Sequence, residues 1–153
     1  MARITPEQRK ANTEKYNAII VKLFLANGWN SVTYDNIAKI AGVRKSTLQG
    51  YYPSNKDFGT ALKGRIFPIF ISHLDFTDEQ SLIGSWNIAL DIKEFRMVIS
   101  MFIANSASLE PSSLTIKGMQ GLISMFAEHF GIERATAVAE VLLGKTVLKL
   151  INI

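Results

Sequence analysis

The sequence contains no cysteine, which removes disulfides, thiolate metal sites and cysteine nucleophiles at once. It has only two histidines, His73 and His129, in separate stretches, and neither belongs to a metal spacing such as H-E-x-x-H. The His73-Leu74-Asp75 run is too slight a signal for a catalytic pair. No glycine-rich loop follows a strand pattern and no G-x-S-x-G elbow occurs. The expectation is therefore no catalytic residue, no metal site and no cofactor: not an enzyme. Four prolines and ten glycines in 153 residues are too few for a disordered or all-β chain. The polar opening MARITPEQRKANTEKY lacks the apolar run of a signal peptide. No uninterrupted apolar stretch of about 18 residues offers a membrane span. These absences predict a cytoplasmic protein without a membrane partner.

Apolar residues make up 48% of the chain, enough for a substantial core, and the net charge is +4. The charge is unevenly spread. Residues 1–65 hold eleven basic and four acidic side chains, a surplus of seven. Residues 66–153 hold six basic and nine acidic ones, a deficit of three. A basic first part points to a polyanionic partner that the remainder does not share.

Helical signals run the whole length. Thr5-Pro6-Glu7-Gln8 supplies a capping threonine, a proline at the first helical position and a glutamine three residues after the cap. Tyr16, Ile19, Ile20, Leu23 and Phe24 follow at three- and four-residue spacing, and Asn27-Gly28 ends this helix. Thr33 caps a second helix with Ile37, Ala38 and Ala41 inward. Gly42 makes a corner where a side chain would crowd the neighbouring helix or demand a strained dihedral. Residues 44–50 form a short third helix anchored by Val43 and Leu48. A fourth is expected from near Asn55 to Phe70, kinked or broken at Pro68. Patterns over 79–90, 92–108, 111–130 and 133–151 complete an all-α chain of about eight helices. The expected division is 1–66 and 67–153.

Two helical patterns around Ala41-Gly42-Val43 form a helix-turn-helix, whose second helix enters the major groove of DNA. Arg44, Lys45, Ser46, Thr47 and Gln49 lie on or beside that helix. Gln49 can pair with adenine, Lys45 can reach guanine acceptors, and the Thr47 methyl can pack on thymine. Arg44 suits bases or phosphates. Thr33, Tyr34, Tyr51 and Lys56 are placed for phosphates, as is the amino end of the fourth helix. Tyr52 is expected as a core plug, and Lys39 and Lys63 as solvated charges. One module of this size buries only about 600–1,000 Å² on DNA, so a symmetric dimer on a palindromic double-stranded operator is expected. The last two helices are apolar over more than one stripe, at Val141-Leu142-Leu143 and around Val147, Leu148, Leu150 and Ile151, and are expected to form the homodimer. Trp86, Phe95, Met97, Met101, Phe102, Met119, Met125, Phe126 and Phe130 can line an apolar cavity or form plain core. Trp86, Phe95, Met101, Phe102, Met119 and Phe126 are the candidates for a small apolar ligand.

The segment resembles the DNA-binding domain of TetR-family transcriptional regulators. The resemblance covers about residues 14–66 without a gap. It rests on Leu23-Phe24, Gly28-Trp29, Val32-Thr33, Ile37-Ala38, Ala41-Gly42-Val43, Thr47-Leu48, Tyr51-Tyr52 and Phe58. The later GRIF, SHLDF and SW-x3-AL segments and the short length are similar to LuxT-type members. The resemblance implies a second, helical domain for ligand binding and dimerisation, and a repressor relieved by ligand. The chain departs from the family at Arg44, where a capping serine is usual, at Gln49, where tyrosine is usual, and at Asn55, where lysine is usual. Those departures keep open an alternative, a helical protein–protein interaction regulator with weakened DNA binding.

Overall fold

Thr5 opens the structure as the sequence anticipates. Its hydroxyl accepts from the Gln8 amide at 3.1 Å while the Gln8 side chain accepts from the Thr5 amide at 2.9 Å. This reciprocal cap starts α1 (Pro6–Asn27), which buries Tyr16, Asn17, Ile20, Leu23 and Phe24. The computed structural model describes residues 3–153, and among the described residues it contains nine α-helices and no strand. The fold is all-α. The chain divides into two compact units, one ending at Ile66 and one spanning Phe67–Ile153.

In the first unit α1 is followed by a 3-10 turn (Trp29–Ser31), α2 (Tyr34–Ala41) and α3 (Lys45–Gln49). A second 3-10 turn (Asn55–Phe58) runs into α4 (Gly59–Leu62). The core collects Ile20, Phe24, Ile37, Leu48, Phe58, Ala61 and Leu62, none more than 1% exposed. Burying side chains such as Leu48 contributes about 1.5–3 kcal/mol each. Here that burial holds α3, which at five residues is far too short to persist alone.

The expected fourth helix is divided, which raises the count from eight to nine. The break is not at Pro68. Lys63 leaves the helical region at ψ 124°, Gly64 takes φ 75°, and α5 (Ile66–Ile71) begins afterwards. Pro68 lies in the first turn of α5, where a backbone N–H has no intrahelical acceptor, so its missing donor costs nothing. Its carbonyl still accepts from Ser72 at 3.1 Å.

The second unit contains α6 (Glu79–Ala89), α7 (Lys93–Ser106), α8 (Ser113–Phe130) and α9 (Ile132–Leu150). Asp78 caps α6 by accepting from the Ser81 amide at 2.7 Å. Ser112 caps α8, so Pro111 stands just before the helix rather than at its first position. Gly131, at φ 90°, separates α8 from α9, and these two helices form the most extensive helix pair of the unit.

Candidate nucleic-acid interface

The turn between α2 and α3 is set by one dihedral. Gly42 adopts φ 69° and ψ 34°, and its amide donates to the Ala38 carbonyl at 2.9 Å. A Cβ built there would meet nothing within 4 Å. Of the two reasons the sequence offered for this glycine, the left-handed dihedral is the real one and crowding is not. Thr33 caps α2, its hydroxyl oxygen accepting from the Asn36 amide at 3.1 Å.

With Leu48 turned inward, the phase of α3 is fixed. Arg44, Lys45, Ser46, Thr47 and Gln49 are all exposed. Arg44 holds the capping position of α3 in extended backbone and makes no side-chain cap, as a guanidinium without an acceptor must. Lys45 reaches Asp35 at 3.8 Å, with its ammonium 5.9 Å from the centre of the Tyr34 ring. Both partners of that ion pair are mostly exposed, so it contributes at most about 1 kcal/mol and leaves Lys45 free to exchange Asp35 for another anion.

The flanking residues differ from expectation in two places. The Tyr34 hydroxyl donates to the Tyr52 carbonyl and its ring packs on Phe58, so it cannot donate to a phosphate at the same time. The amino end of the fourth helical segment is also occupied. The Asp57 carboxylate accepts from the Ser54 amide at 2.7 Å, placing a negative charge where an anion was expected. Lys56 is exposed on the same turn, and Thr33 is exposed beside α2. Tyr51 is half-buried, with its hydroxyl oxygen accepting from Asn12 Nδ2 at 3.0 Å.

Tyr52 is the core plug anticipated for it, 2% exposed. Its hydroxyl donates to Asn17 Oδ1 on α1, and its carbonyl receives Tyr34 from α2. One residue just past α3 thus ties that helix to both its neighbours. Burial pushes the Tyr52 phenol up to about 12; Arg65 pulls it down, and Tyr16 and Glu14 add to the rise. Arg65 itself is held by the Glu14 carboxylate, with both oxygens at 3.0 Å.

Sequence reasoning missed Arg9, Asn12 and Asp35. Arg9 donates to the Gly50 carbonyl at 2.8 Å and its guanidinium carbon lies 4.4 Å from the centre of the Tyr51 ring. The available signal was the spacing of Arg9, Asn12 and Tyr16 along one face of α1, but spacing does not say what that face meets.

Residues 63–150 match the family model for the tetracycline repressor LuxT C-terminal domain. The chain belongs to this LuxT-type tetracycline-repressor family. It is accordingly a transcriptional regulator. No curated protein matches the chain significantly. The family match begins after the helix-turn-helix, so the two are independent observations.

In the LuxT-type second unit, most of the expected ligand residues are core. Phe70 stacks on Phe95 with ring centres 4.2 Å apart, and Trp86 meets both edge-on. The Trp86 indole donates to the buried Thr146 hydroxyl at 2.8 Å, which donates in turn to the Leu142 carbonyl at 2.7 Å. Phe126 is fully buried. Of the six candidates, Phe102 and Met119 line a void with Phe67, Phe70, Ile99, Gly118 and Leu122. That void measures about 10 Å³, the room of one water-sized sphere. Trp86, Phe95, Met101 and Phe126 are not in its lining. The Phe102 ring rests on Gly118 so closely that a Cβ there would fall 2.4 Å from it.

The last two helices are apolar on two sides. Ala135, Val138, Leu142 and Thr146 of α9 face inward. Val141, Leu148 and Ile151 recur at heptad-like spacing with 47%, 48% and 58% of their surfaces exposed. Ile116 and Ile123 of α8 are exposed one heptad apart. No helix among the described residues is long and apolar enough to cross a membrane.

Proposed function

We propose that the protein is a cytoplasmic, sequence-specific DNA-binding repressor that acts as a homodimer on a palindromic operator. The observation that carries this reading is the outward row Arg44, Lys45, Ser46, Thr47 and Gln49, fixed by buried Leu48 on a glycine-turned second helix, in a chain whose remaining part is a LuxT-type domain. Lys45, Thr47 and Gln49 read base edges, with Arg44 and Ser46 beside them; Thr33, Tyr51 and Lys56 hold the backbone. Tyr34 supports that surface through its ring rather than by a phosphate contact. The exposed stripes of α8 and α9 supply the dimer, four helices pairing across a two-fold axis. A small apolar ligand would enter beside Phe102 and Met119 by displacing the Phe102 ring from Gly118, since the present void is too small for it.

The test is random-site selection with the purified protein, followed by binding to the selected duplex across a salt series. The expected motif is palindromic, its half-sites about 10 base pairs apart or a multiple of that. Affinity should fall linearly on a log–log salt plot, by about 0.9 for each phosphate neutralised. The double change Arg44→Glu, Lys45→Glu should abolish binding with helicity intact. Retained regulation by that variant would replace this reading with the protein–protein regulator.

A further inference from the structure

We propose that Arg9 and Asn12 of α1 belong to the DNA-backbone contact, Arg9 as a phosphate-binding cation and Asn12 as a positioning residue that turns the Tyr51 phenolic proton outward. The inference rests on the DNA-binding reading above and extends its surface from the helix-turn-helix to the first helix.

Arg9, Asn12 and Tyr16 stand at three- and four-residue spacing, so they share one face of α1. All three meet Tyr51. Arg9 covers the face of its ring, Tyr16 packs edge to face against it with centres 5.0 Å apart, and Asn12 donates to its hydroxyl oxygen at 3.0 Å. Arg9 also donates to the carbonyl of Gly50, the residue that ends α3. The exit of the recognition helix is therefore clasped by a helix some forty residues earlier in the chain.

The polarity of the Asn12 bond gives the clasp a chemical consequence. A phenol has one proton and two acceptor lone pairs. Because the Asn12 amide supplies the proton of their shared bond, the Tyr51 proton lies outside it and is left for another acceptor. Arg9 has five N–H donors in a planar fork, of which the Gly50 carbonyl takes one, and its side chain is exposed. A cation and an outward phenolic donor thus stand side by side at the end of the helix that would lie in the groove. Phosphate oxygens are the acceptors that such a pair suits. Of the two acids on this helix, Glu7 stands two residues from Arg9 and so on another face, and Glu14 is engaged by Arg65.

The experiment measures binding of full-length protein to a labelled duplex of mixed sequence, about 30 base pairs long, over a salt series, so that only backbone contacts count. Arg9→Met should lower the salt slope by about 0.9 per protomer bound, and Arg9→Lys should restore it. Asn12→Ala should leave the slope unchanged and weaken binding roughly tenfold, the size expected for one hydrogen bond to a charged group. In a Tyr51→Phe background the same Asn12→Ala change should have no effect, because the proton it orients is gone. Thermal midpoints of all variants report folding separately. An unchanged slope in Arg9→Met, or an equal Asn12→Ala loss with and without the Tyr51 hydroxyl, would overturn the proposal while wild-type binding keeps the DNA reading intact. Wild-type protein that fails to bind both this duplex and a selected operator would remove both.

Discussion

Replacing Tyr52 by Phe deletes a single oxygen, yet that oxygen secures the chain just past α3 to α1. At neutral pH the loss leaves buried Asn17 Oδ1 without its donor, a cost of about 1–3 kcal/mol. The pH dependence is the sharper signature. An unperturbed phenol titrates near 10, and burial pushes Tyr52 up to about 12. The folded protein therefore holds this proton more tightly than the unfolded chain does. The associated stability is complete below about pH 10 and is lost as the pH rises through about 12, on the order of a few kcal/mol. The difference between the two proteins isolates this phenol together with its coupling to the neighbouring Tyr16 phenol. Guanidinium denaturation followed by far-UV circular dichroism gives that difference directly. Wild type should exceed Tyr52→Phe by about 1–3 kcal/mol near pH 8, and the gap should shrink by about 1 kcal/mol per pH unit between about pH 10 and 12. A gap that stays constant from pH 8 to about 12 would refute the link between the buried phenol and the stability of this unit.

Two further outcomes test the placement of other features. Gly64→Ala should cost about 1–2 kcal/mol because its φ of 75° is left-handed, whereas Pro68→Ala should stay within about 0.5 kcal/mol; chemical denaturation that ranks them the other way would return the break to Pro68. Val141→Glu combined with Leu148→Glu should convert a dimer to a helical monomer in sedimentation velocity, and a persistent dimer would move the interface away from the exposed face of α9.

Much of the fold was legible because its signals are local. The Thr5 cap, the Gly28 stop and the inward phase of Leu48 each follow from a few adjacent residues, and each is present in the structure. The misplaced break shows where local rules compete. Pro68 is interior only to a helix that runs on from Asn55, and Lys63 and Gly64 end that segment before it. Once α5 begins at Ile66, the same proline is harmless. The aromatic residues of the second half posed a different difficulty. Trp86, Phe95 and Phe126 have a periodicity that fits a cavity wall and a packed core equally well; in the structure all three are buried, and the Phe95 ring meets those of Phe70 and Trp86.

The candidate interface divides along the same line. Outward exposure of Lys45, Thr47 and Gln49 follows from the inward position of Leu48, so sequence alone reached it. What those residues and their neighbours are bonded to does not follow, because Tyr34 with Tyr52, and Arg9 and Asn12 with Gly50 and Tyr51, meet between different segments, 18 to 41 residues apart, rather than along one helix. This matters for the departures at Arg44, Gln49 and Asn55. A five-residue helix lacking a side-chain cap has little stability of its own, and the loss of capping at Arg44 must be offset by tertiary contacts. Leu48 beneath α3, Tyr52 beyond it and Arg9 at its exit provide those contacts. Helix α3 is thus held from its buried side and its far end, which leaves position 44 free to carry a cation where a capping hydroxyl would otherwise be required.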